Sequence, residues 1–243
     1  MNTKINRYFT SRRASVVPID NNKEQFLNKI ESQKQSRQKF YQSALDAYEN
    51  NPRLTTIDLR YNSLKHHSFY HLVEAMMRNT YVIELDLSAT LMDDNVCKQI
   101  QLLLEHNTPL QKLHLGYNFI GNMGADNIAK GLLKNTSIKT LDLSGNTIGD
   151  YGATAIGYAL EHNTTIQSLK LSNNKIGDIG AIAITNALDQ NTTLKELELF
   201  NTDIGNSGAH ALNIKLREND TLQKLDFCSR KADFDLCEQI NRP

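Results

Sequence analysis

The stretch LDLSGNTI, residues 141–148, decides the fold of this chain. Leu141 and Leu143 lie two positions apart, which is the spacing of a strand with one buried face. Ile148 follows after a polar bend, and the whole arrangement recurs at a constant spacing along the chain. A 28-residue unit that repeats in this way predicts a stacked repeat architecture. Seven copies align by their first apolar residue, at Leu54, Val82, Leu110, Ile138, Ile166, Leu194 and Leu222.

Each unit reads as a strand, a turn and a helix, because the apolar period changes after the bend. Ile156 and Leu160 carry the helical spacing. Gly149 is expected to give the turn a positive φ, and Asp150 is expected to cap its own helix. The recurring asparagine at the other end, Asn163 in this unit, predicts a left-handed residue that ends the helix.

An asparagine or a threonine directly follows each strand. A buried amide there can donate and accept hydrogen bonds, so stacked units are expected to share a ladder of such bonds. A threonine can supply only part of that ladder, which predicts looser points in the second and sixth units. The residues at this position are Asn62, Thr90, Asn118, Asn146, Asn174 and Thr202.

The pattern LxxLxLxxNx(I/L) in 28-residue units resembles the ribonuclease-inhibitor-like class of leucine-rich repeats. The resemblance covers the chain from Leu54 to its C-terminus and implies an α/β fold, a right-handed solenoid shaped as a horseshoe arc. Parallel strands would line its concave face and helices its convex face. We expect a disordered tail over residues 1–20, a helical cap over 21–53, six repeats over 54–221, and a truncated seventh repeat with a C-terminal cap over 222–243.

Composition narrows the function. The chain has 27 basic and 27 acidic residues, which argues against a general electrostatic attraction to nucleic acid or to an anionic membrane. It has no signal-like apolar segment at its start and no apolar run of membrane-spanning length, so we expect a cytoplasmic protein. Three cysteines without paired spacing predict reduced thiols.

Strand phase predicts which residues face a partner on the concave sheet. Tyr61, Tyr117 and Phe200 are the expected anchors, because an aromatic side chain brings large contact area at a small entropic cost. A solvated face with incidental aromatics is the alternative interpretation. The full predicted binding set is Asp58, Arg60, Tyr61, Asp86, His114, Tyr117, Asp142, Lys170, Asn173, Glu198, Phe200 and Asn201.

Several chemical motifs are better explained as architecture. His67, His71 and Glu74 share a helix face that we assign to the exposed convex side, without a second metal-binding element. Three N-x-T/S motifs begin at helix-stop asparagines, at Asn135, Asn163 and Asn191. Cys97 and Cys237 take small core positions, whereas Cys228 faces the concave side without an activating histidine. Ser15 follows two arginines and matches a protein-kinase site.

Once each residue is assigned to its repeat position, no group of side chains remains that could form a catalytic site. We therefore expect a monomeric protein-binding scaffold without enzyme activity, metal or cofactor. The unknown partner would be a protein and not nucleic acid or membrane. Chains of this kind resemble effectors of intracellular bacterial pathogens, delivered into the host cytosol by a specialised secretion system, and the repeat region of NOD-like receptors. The alternative is a regulator of a small GTPase, because Ran GTPase-activating proteins share this unit length; Arg60 would then be the arginine to test.

Overall fold

The computed structural model describes residues 38–64, 66–107 and 109–240. The chain divides into two units, Met1–Tyr41 and Gln42–Pro243. In the first unit, residues 38–41 are described and are helical. Apart from the start of the first helix, the elements described below belong to the second unit. The predicted tail, the start of the predicted cap and Ser15 lie outside the described residues. The domain division itself stays a prediction.

Seven parallel strands form one open sheet, and their order in the sheet is their order in the chain. Each strand pairs with the next one in a register offset by one whole repeat unit, as in Leu141 opposite Leu169. The alternation predicted from the sequence is confirmed, because the central residue of strands β1 to β6 is buried. The strands are β1 Thr56–Asp58, β2 Glu84–Asp86, β3 Lys112–His114, β4 Thr140–Asp142, β5 Ser168–Lys170, β6 Glu196–Glu198 and β7 Lys224–Asp226.

Helices alternate with the strands and cover one side of the sheet. Their apolar residues at helical spacing, such as Ile156 and Leu160, pack onto the strand leucines and are fully buried. The result is the predicted α/β leucine-rich-repeat solenoid. The helices are α1 Gln38–Tyr48, α2 His66–Arg78, α3 Asp94–His106, α4 Asn122–Leu132, α5 Asp150–His162, α6 Asp178–Ala187, α7 Asn206–Glu218 and α8 Phe234–Ile240.

The predicted asparagine ladder is present in the bends after strands β3, β4 and β5, at Asn118, Asn146 and Asn174. The Asn146 amide donates to the carbonyl oxygens of Leu115 in the preceding unit and Leu143 in its own unit, at 3.0 and 2.9 Å. Its Oδ1 accepts from the Ile120 N–H at 3.0 Å. The Thr90 hydroxyl, by contrast, donates to Leu87 of its own unit at 2.7 Å. The ladder therefore joins successive units least well at threonine, as the sequence predicts.

The predicted helix caps were assigned to the wrong helix. Asp150 is the first residue of α5 rather than its cap, because Gly149 takes the extended cap conformation and offers no side chain. The Asp150 carboxylate instead accepts from the N–H groups of Gly177 and Gly180, at 2.8 and 2.9 Å, in the first turn of α6. Each such residue thus caps the next unit's helix. The other members are Asp94, Asn122, Asp178 and Asn206.

The asparagines at the helix ends are not left-handed, which corrects a second prediction. Asn163 has φ −84° and ψ 131°, an extended conformation. Its side chain makes the connection instead: the amide donates to Leu132 and Asn135 carbonyl oxygens of the preceding unit, and Oδ1 accepts from Ile166 N–H. Because this second ladder runs along the opposite edge of the sheet, the two ladders tie both ends of strands β3, β4 and β5 to the preceding unit.

The glycine after each bend also has a role different from the predicted one. Gly149 has a negative φ of −106°, so it does not need glycine's conformational freedom. Space explains the glycine in the helix better: a Cβ on Gly180 would lie 2.7 Å from the Ala153 Cβ and 2.9 Å from Asp150 Oδ1. Glycine here lets the capping carboxylate of one unit reach the helix of the next.

Candidate functional site

The side of the sheet that faces away from the helices carries the predicted binding residues. Asp58, Asp86 and Asp142 project from this sheet face beside the buried leucines, and they lie in register with one another across the strands. The same row continues through His114, Lys170 and Glu198. The structure thus brings the strand members of the predicted set into one row.

Arg60 joins the first two carboxylates of this row. Its guanidinium lies 3.1 Å from Asp58 Oδ2 and 3.4 Å from Asp86 Oδ2. The hydrogen bond to Asp58, followed by the negative charges of Asp58 and Asp86, raises the pKa of Arg60. Two carboxylates therefore hold the arginine against the sheet face, where its side chain is 51% exposed.

The rest of the row alternates in charge instead of forming an acidic strip. The Lys170 ammonium lies 3.0 Å from Glu198 Oε1, and that hydrogen bond raises the pKa of Lys170. His114 Nε2 lies 3.4 Å from Glu84 Oε1 on the neighbouring strand. Asp58, Asp86 and Glu198 thus each lie beside a cation, and the row presents mixed charge.

Tyr61 and Tyr117 lie just beyond strands β1 and β3, and both have a left-handed backbone, with φ of 61° and 55°. This conformation is costly for a bulky residue and suits glycine or asparagine, which occupy the equivalent position as Gly145 and Asn173. Tyr61 is nevertheless 83% exposed and Tyr117 66% exposed. The two rings therefore project outward at a backbone cost that burial does not offset.

Phe200, the third predicted anchor, lies three strands beyond Tyr117 and is 46% exposed. With adjacent strands about 4.8 Å apart, the three aromatic residues extend over roughly 24 Å of the sheet. They therefore form separate anchor points rather than one cluster. Two other predicted binding residues are bonded to each other: the Asn201 amide donates to Asn173 Oδ1 at 2.7 Å.

Exposed apolar residues that the sequence analysis missed lie at the edge where strands lead into helices. They occupy two repeat positions, the residue before the bend isoleucine or methionine and the second residue of the helix. A phase comparison could have found them, because Ser63, Thr147 and Lys175 show that the first position does not require an apolar residue. The exposed residues are Leu91, Phe119, Met123, Tyr151 and Ile179.

A cleft of about 460 Å³ lies between α4 and α5, on the helix side of the molecule. Leu133, Tyr151 and Tyr158 form its apolar walls. At its rim, Lys130 Nζ lies 2.6 Å from Asp126 Oδ2, so this cation is already paired. The sequence alone did not predict a site at this cleft.

The motifs set aside as architecture have structural roles. Asn135, Asn163 and Asn191 are buried in the second ladder, where a glycan could not be attached without disrupting it. Cys97 is buried as predicted, and burial, followed by the charges of Asp94 and Asp93, raises the pKa of its thiol. Burial, followed by a hydrogen bond with Cys237, also raises the pKa of Cys228.

The proposed exposed face with His67, His71 and Glu74 is corrected at His71. His71 is buried, and its Nδ1 lies 3.9 Å from Glu74 Oε2. It aligns by repeat phase with Gln99 and Ala155, half-buried positions on the flank of a helix rather than on its outer side. The His67 side chain lies outside what the structure describes.

Two further findings concern the described part of the chain. Its His, Cys, Asp and Glu side chains form no group of three or more that could hold a metal ion. Among its helices, none has both the length and the apolar composition required to cross a bilayer.

Comparison with known proteins supports the repeat assignment. A family model described as a leucine-rich repeat matches four segments, residues 106–129, 134–157, 162–184 and 190–212. The chain has no match among curated proteins. Among solved structures, it is similar to the tropomodulin C-terminal domain of Caenorhabditis elegans, with 15% identity and a TM-score of 0.54, over 62% of this chain and 92% of that one.

Two other solved structures align with lower scores. Actin-binding site 2 of leiomodin-1 has 21% identity and a TM-score of 0.38, over 83% of this chain and 88% of that one. An internalin from Listeria monocytogenes has 16% identity and a TM-score of 0.45, over 78% of this chain and 50% of that one. Together with the strand–turn–helix units, the four family-model matches identify residues 106–212 as leucine-rich repeats and the fold as a leucine-rich-repeat solenoid.

Proposed function

We propose that this chain is a scaffold that binds a protein partner through its sheet face. The observation that carries the proposal is the display of Tyr61 and Tyr117 on left-handed backbone, largely exposed to solvent. A bulky residue in a costly backbone conformation whose side chain is little buried is best explained by a contact with a binding partner. Tyrosine is also among the residues that contribute most to protein interfaces.

The spacing of the anchors describes the partner's footprint. Tyr61, Tyr117 and Phe200 span roughly 24 Å, a length that one interface of standard size, about 800 Å² on each partner, can cover. Between Tyr117 and Phe200, the position of Phe200 carries the buried Ser144 and Ser172, and the position of Tyr117 carries Gly145 and Asn173. The sheet face is therefore low there. A partner with one continuous ridge would contact both ends and fill this low region.

The test compares the wild-type chain with a triple variant, Tyr61→Asn, Tyr117→Asn and Phe200→Ser. Each new residue already occupies an equivalent position in another unit, as Asn173, Asn201 and Ser144 do, so the variant is expected to fold. Because asparagine tolerates left-handed backbone, the stability of the triple variant should equal or exceed that of the wild type.

Affinity capture from a candidate host lysate should recover a partner with the wild type and lose it, by at least about tenfold, with the triple variant. Protection of β1 to β6 from hydrogen exchange in the recovered complex would locate the contact. Equal recovery by the two proteins would reject the sheet face as the binding surface.

Two finer versions of this proposal come from the family resemblance. One places the chain among effectors of intracellular bacterial pathogens, an idea supported by its asparagine-, lysine- and isoleucine-rich composition. The other is regulation of a small GTPase through Arg60. This second version is less favoured, since Arg60 would have to leave Asp58 and Asp86 before it could reach a nucleotide. Stimulated GTP hydrolysis that disappears in Arg60→Ala would support it.

A further inference from the structure

A second surface lies along the edge of the solenoid where strands lead into helices. We define this exit edge by its exposed apolar side chains, Leu91, Phe119, Met123, Tyr151 and Ile179. They come from four successive units and do not belong to the sheet face. Exposed apolar residues grouped in this way are a feature of binding surfaces in soluble proteins.

Leu91 shows the same mismatch between conformation and burial as the sheet-face tyrosines. It has a φ of 63° and is 55% exposed, so strained backbone displays an apolar side chain to solvent. Its equivalent in the next unit, Phe119, is 59% exposed and fixed by a 2.7 Å hydrogen bond from its N–H to the Met92 carbonyl oxygen. The edge is therefore built in advance rather than dependent on a mobile loop.

Carboxylates lie between these apolar residues and leave the edge negatively charged. Asp94, Asp150 and Asp178 accept from glycine N–H groups of the next unit, and none of the three pairs with a cation in the described part of the chain. Lys175 is exposed at the repeat position of Leu91 and Phe119, and it sets one positive charge against these three negative ones. Such a surface attracts a segment that carries both positive charge and an apolar face, and it repels anionic lipid headgroups.

The dimensions favour a helix as the bound segment. Leu91 to Ile179 covers three unit spacings, and packed helices lie about 8–10 Å apart, which gives roughly 24–30 Å. An α-helix of about 16–20 residues has that length. We propose that the exit edge is a second docking surface and that it binds a basic amphipathic helix of a partner protein.

The test uses a fluorescein-labelled synthetic helix of about 18 residues, the length that matches the edge, with leucines on one face and lysines on the other. Two control peptides keep its length: one has glutamate in place of lysine, and one has the same composition without helical period. Fluorescence anisotropy should show binding of the lysine peptide to the wild-type chain at least about tenfold tighter than of either control.

Variants designed from the chain's own repeats locate the contact. Leu91→Asn, Phe119→Thr and Met123→Ser introduce residues that suit the local backbone or occur at the same position in other units. This edge triple should bind the lysine peptide at least about tenfold more weakly. Asp94→Asn, Asp150→Asn and Asp178→Asn keep the capping oxygen, as Asn122 does, and should weaken binding while reducing its dependence on salt.

A control triple removes exposed apolar residues that lie outside the exit edge: Tyr81→Thr, Ile83→Gln and Ile214→Asn. Each new residue occurs at the same repeat position in another unit. This control triple and the sheet-face triple should both bind the peptide as the wild type does, which separates this proposal from the proposed function. Equal weakening in the edge and control triples would overturn the assignment. So would binding to phosphatidylglycerol vesicles without a peptide preference, or self-association that only the edge triple abolishes.

Discussion

At the scale of single residues, Asn146 shows how one amide holds two units together. It satisfies the Leu115 and Leu143 carbonyl oxygens and the Ile120 N–H, all of them buried in the bend. Asn146→Ala leaves these groups unpaired and should lower the free energy of unfolding by about 2–4 kcal/mol. Asn146→Thr should cost about half as much, because threonine can still donate to Leu143 in the way Thr90 donates to Leu87.

Urea unfolding followed by circular dichroism measures the loss of stability in each variant. Lys139→Gln is the control, because Lys139 is exposed and glutamine occupies the same repeat position in other units, as Gln111 and Gln167. Equal stability of the alanine and threonine variants would contradict the role given to the amide.

Cys97 is expected to make the stability of the chain vary with pH in the alkaline range. Burial raises the pKa of its thiol well above the ordinary value of 9.0, so the unfolded chain loses this proton at lower pH than the folded one. Below pH 9 the thiol is protonated in both the folded and the unfolded chain, so it does not make the free energy of unfolding depend on pH. Above pH 9 the free energy of unfolding falls as pH rises. Between pH 7.5 and 10.5 the wild type should lose about 1–2 kcal/mol more than Cys97→Ala, which carries the residue found at Ala125 and Ala153. Urea unfolding at both pH values tests this, and parallel losses would reject it.

At the scale of elements, helices α4 to α8 are each capped by the unit before them. Asp150→Ala removes the oxygen that accepts from Gly177 and Gly180 and should destabilise the chain by about 1–2 kcal/mol. Asp150→Asn keeps that oxygen and should stay within about 0.5 kcal/mol of the wild type, as Asn122 makes the equivalent bonds. Chemical unfolding of both variants separates the contribution of the capping hydrogen bond from that of the negative charge. An equal loss of stability in the two would mean that the charge, not the hydrogen bond, stabilises α6.

The sequence predicts the elements better than the connections between them. Period alone locates strands and helices, because Leu141, Leu143 and Ile156 carry spacings that belong to one element each. It failed for Asp150 and Asn163, whose side chains bond to a neighbouring unit, since a local rule assigns a cap or a stop to the nearest helix. It also missed Leu91 and Phe119, because a search for buried periodicity does not ask which apolar residues lack a core position.

At the scale of the whole molecule, interchangeable units make the chain tolerant of changes that keep the 28-residue period. Deleting residues 150–177 would join Gly149 to Asp178, the same dipeptide that Gly177 and Asp178 form in the intact chain. Asn122 would then cap α6 through the N–H groups of Gly149 and Gly180. The shortened chain should fold cooperatively with a lower free energy of unfolding, because stability in a solenoid is close to a sum over units and their interfaces.

A deletion of residues 150–163 is the matched control, since it removes half as many residues but shifts every later strand and ladder residue out of phase. If registry governs the fold, this smaller deletion should be the more damaging one, with loss of a cooperative transition in urea and of helical circular dichroism per residue. The larger deletion should retain both. A half-unit variant as stable as the whole-unit variant would show that local packing, rather than continuity of the two ladders, holds the units together.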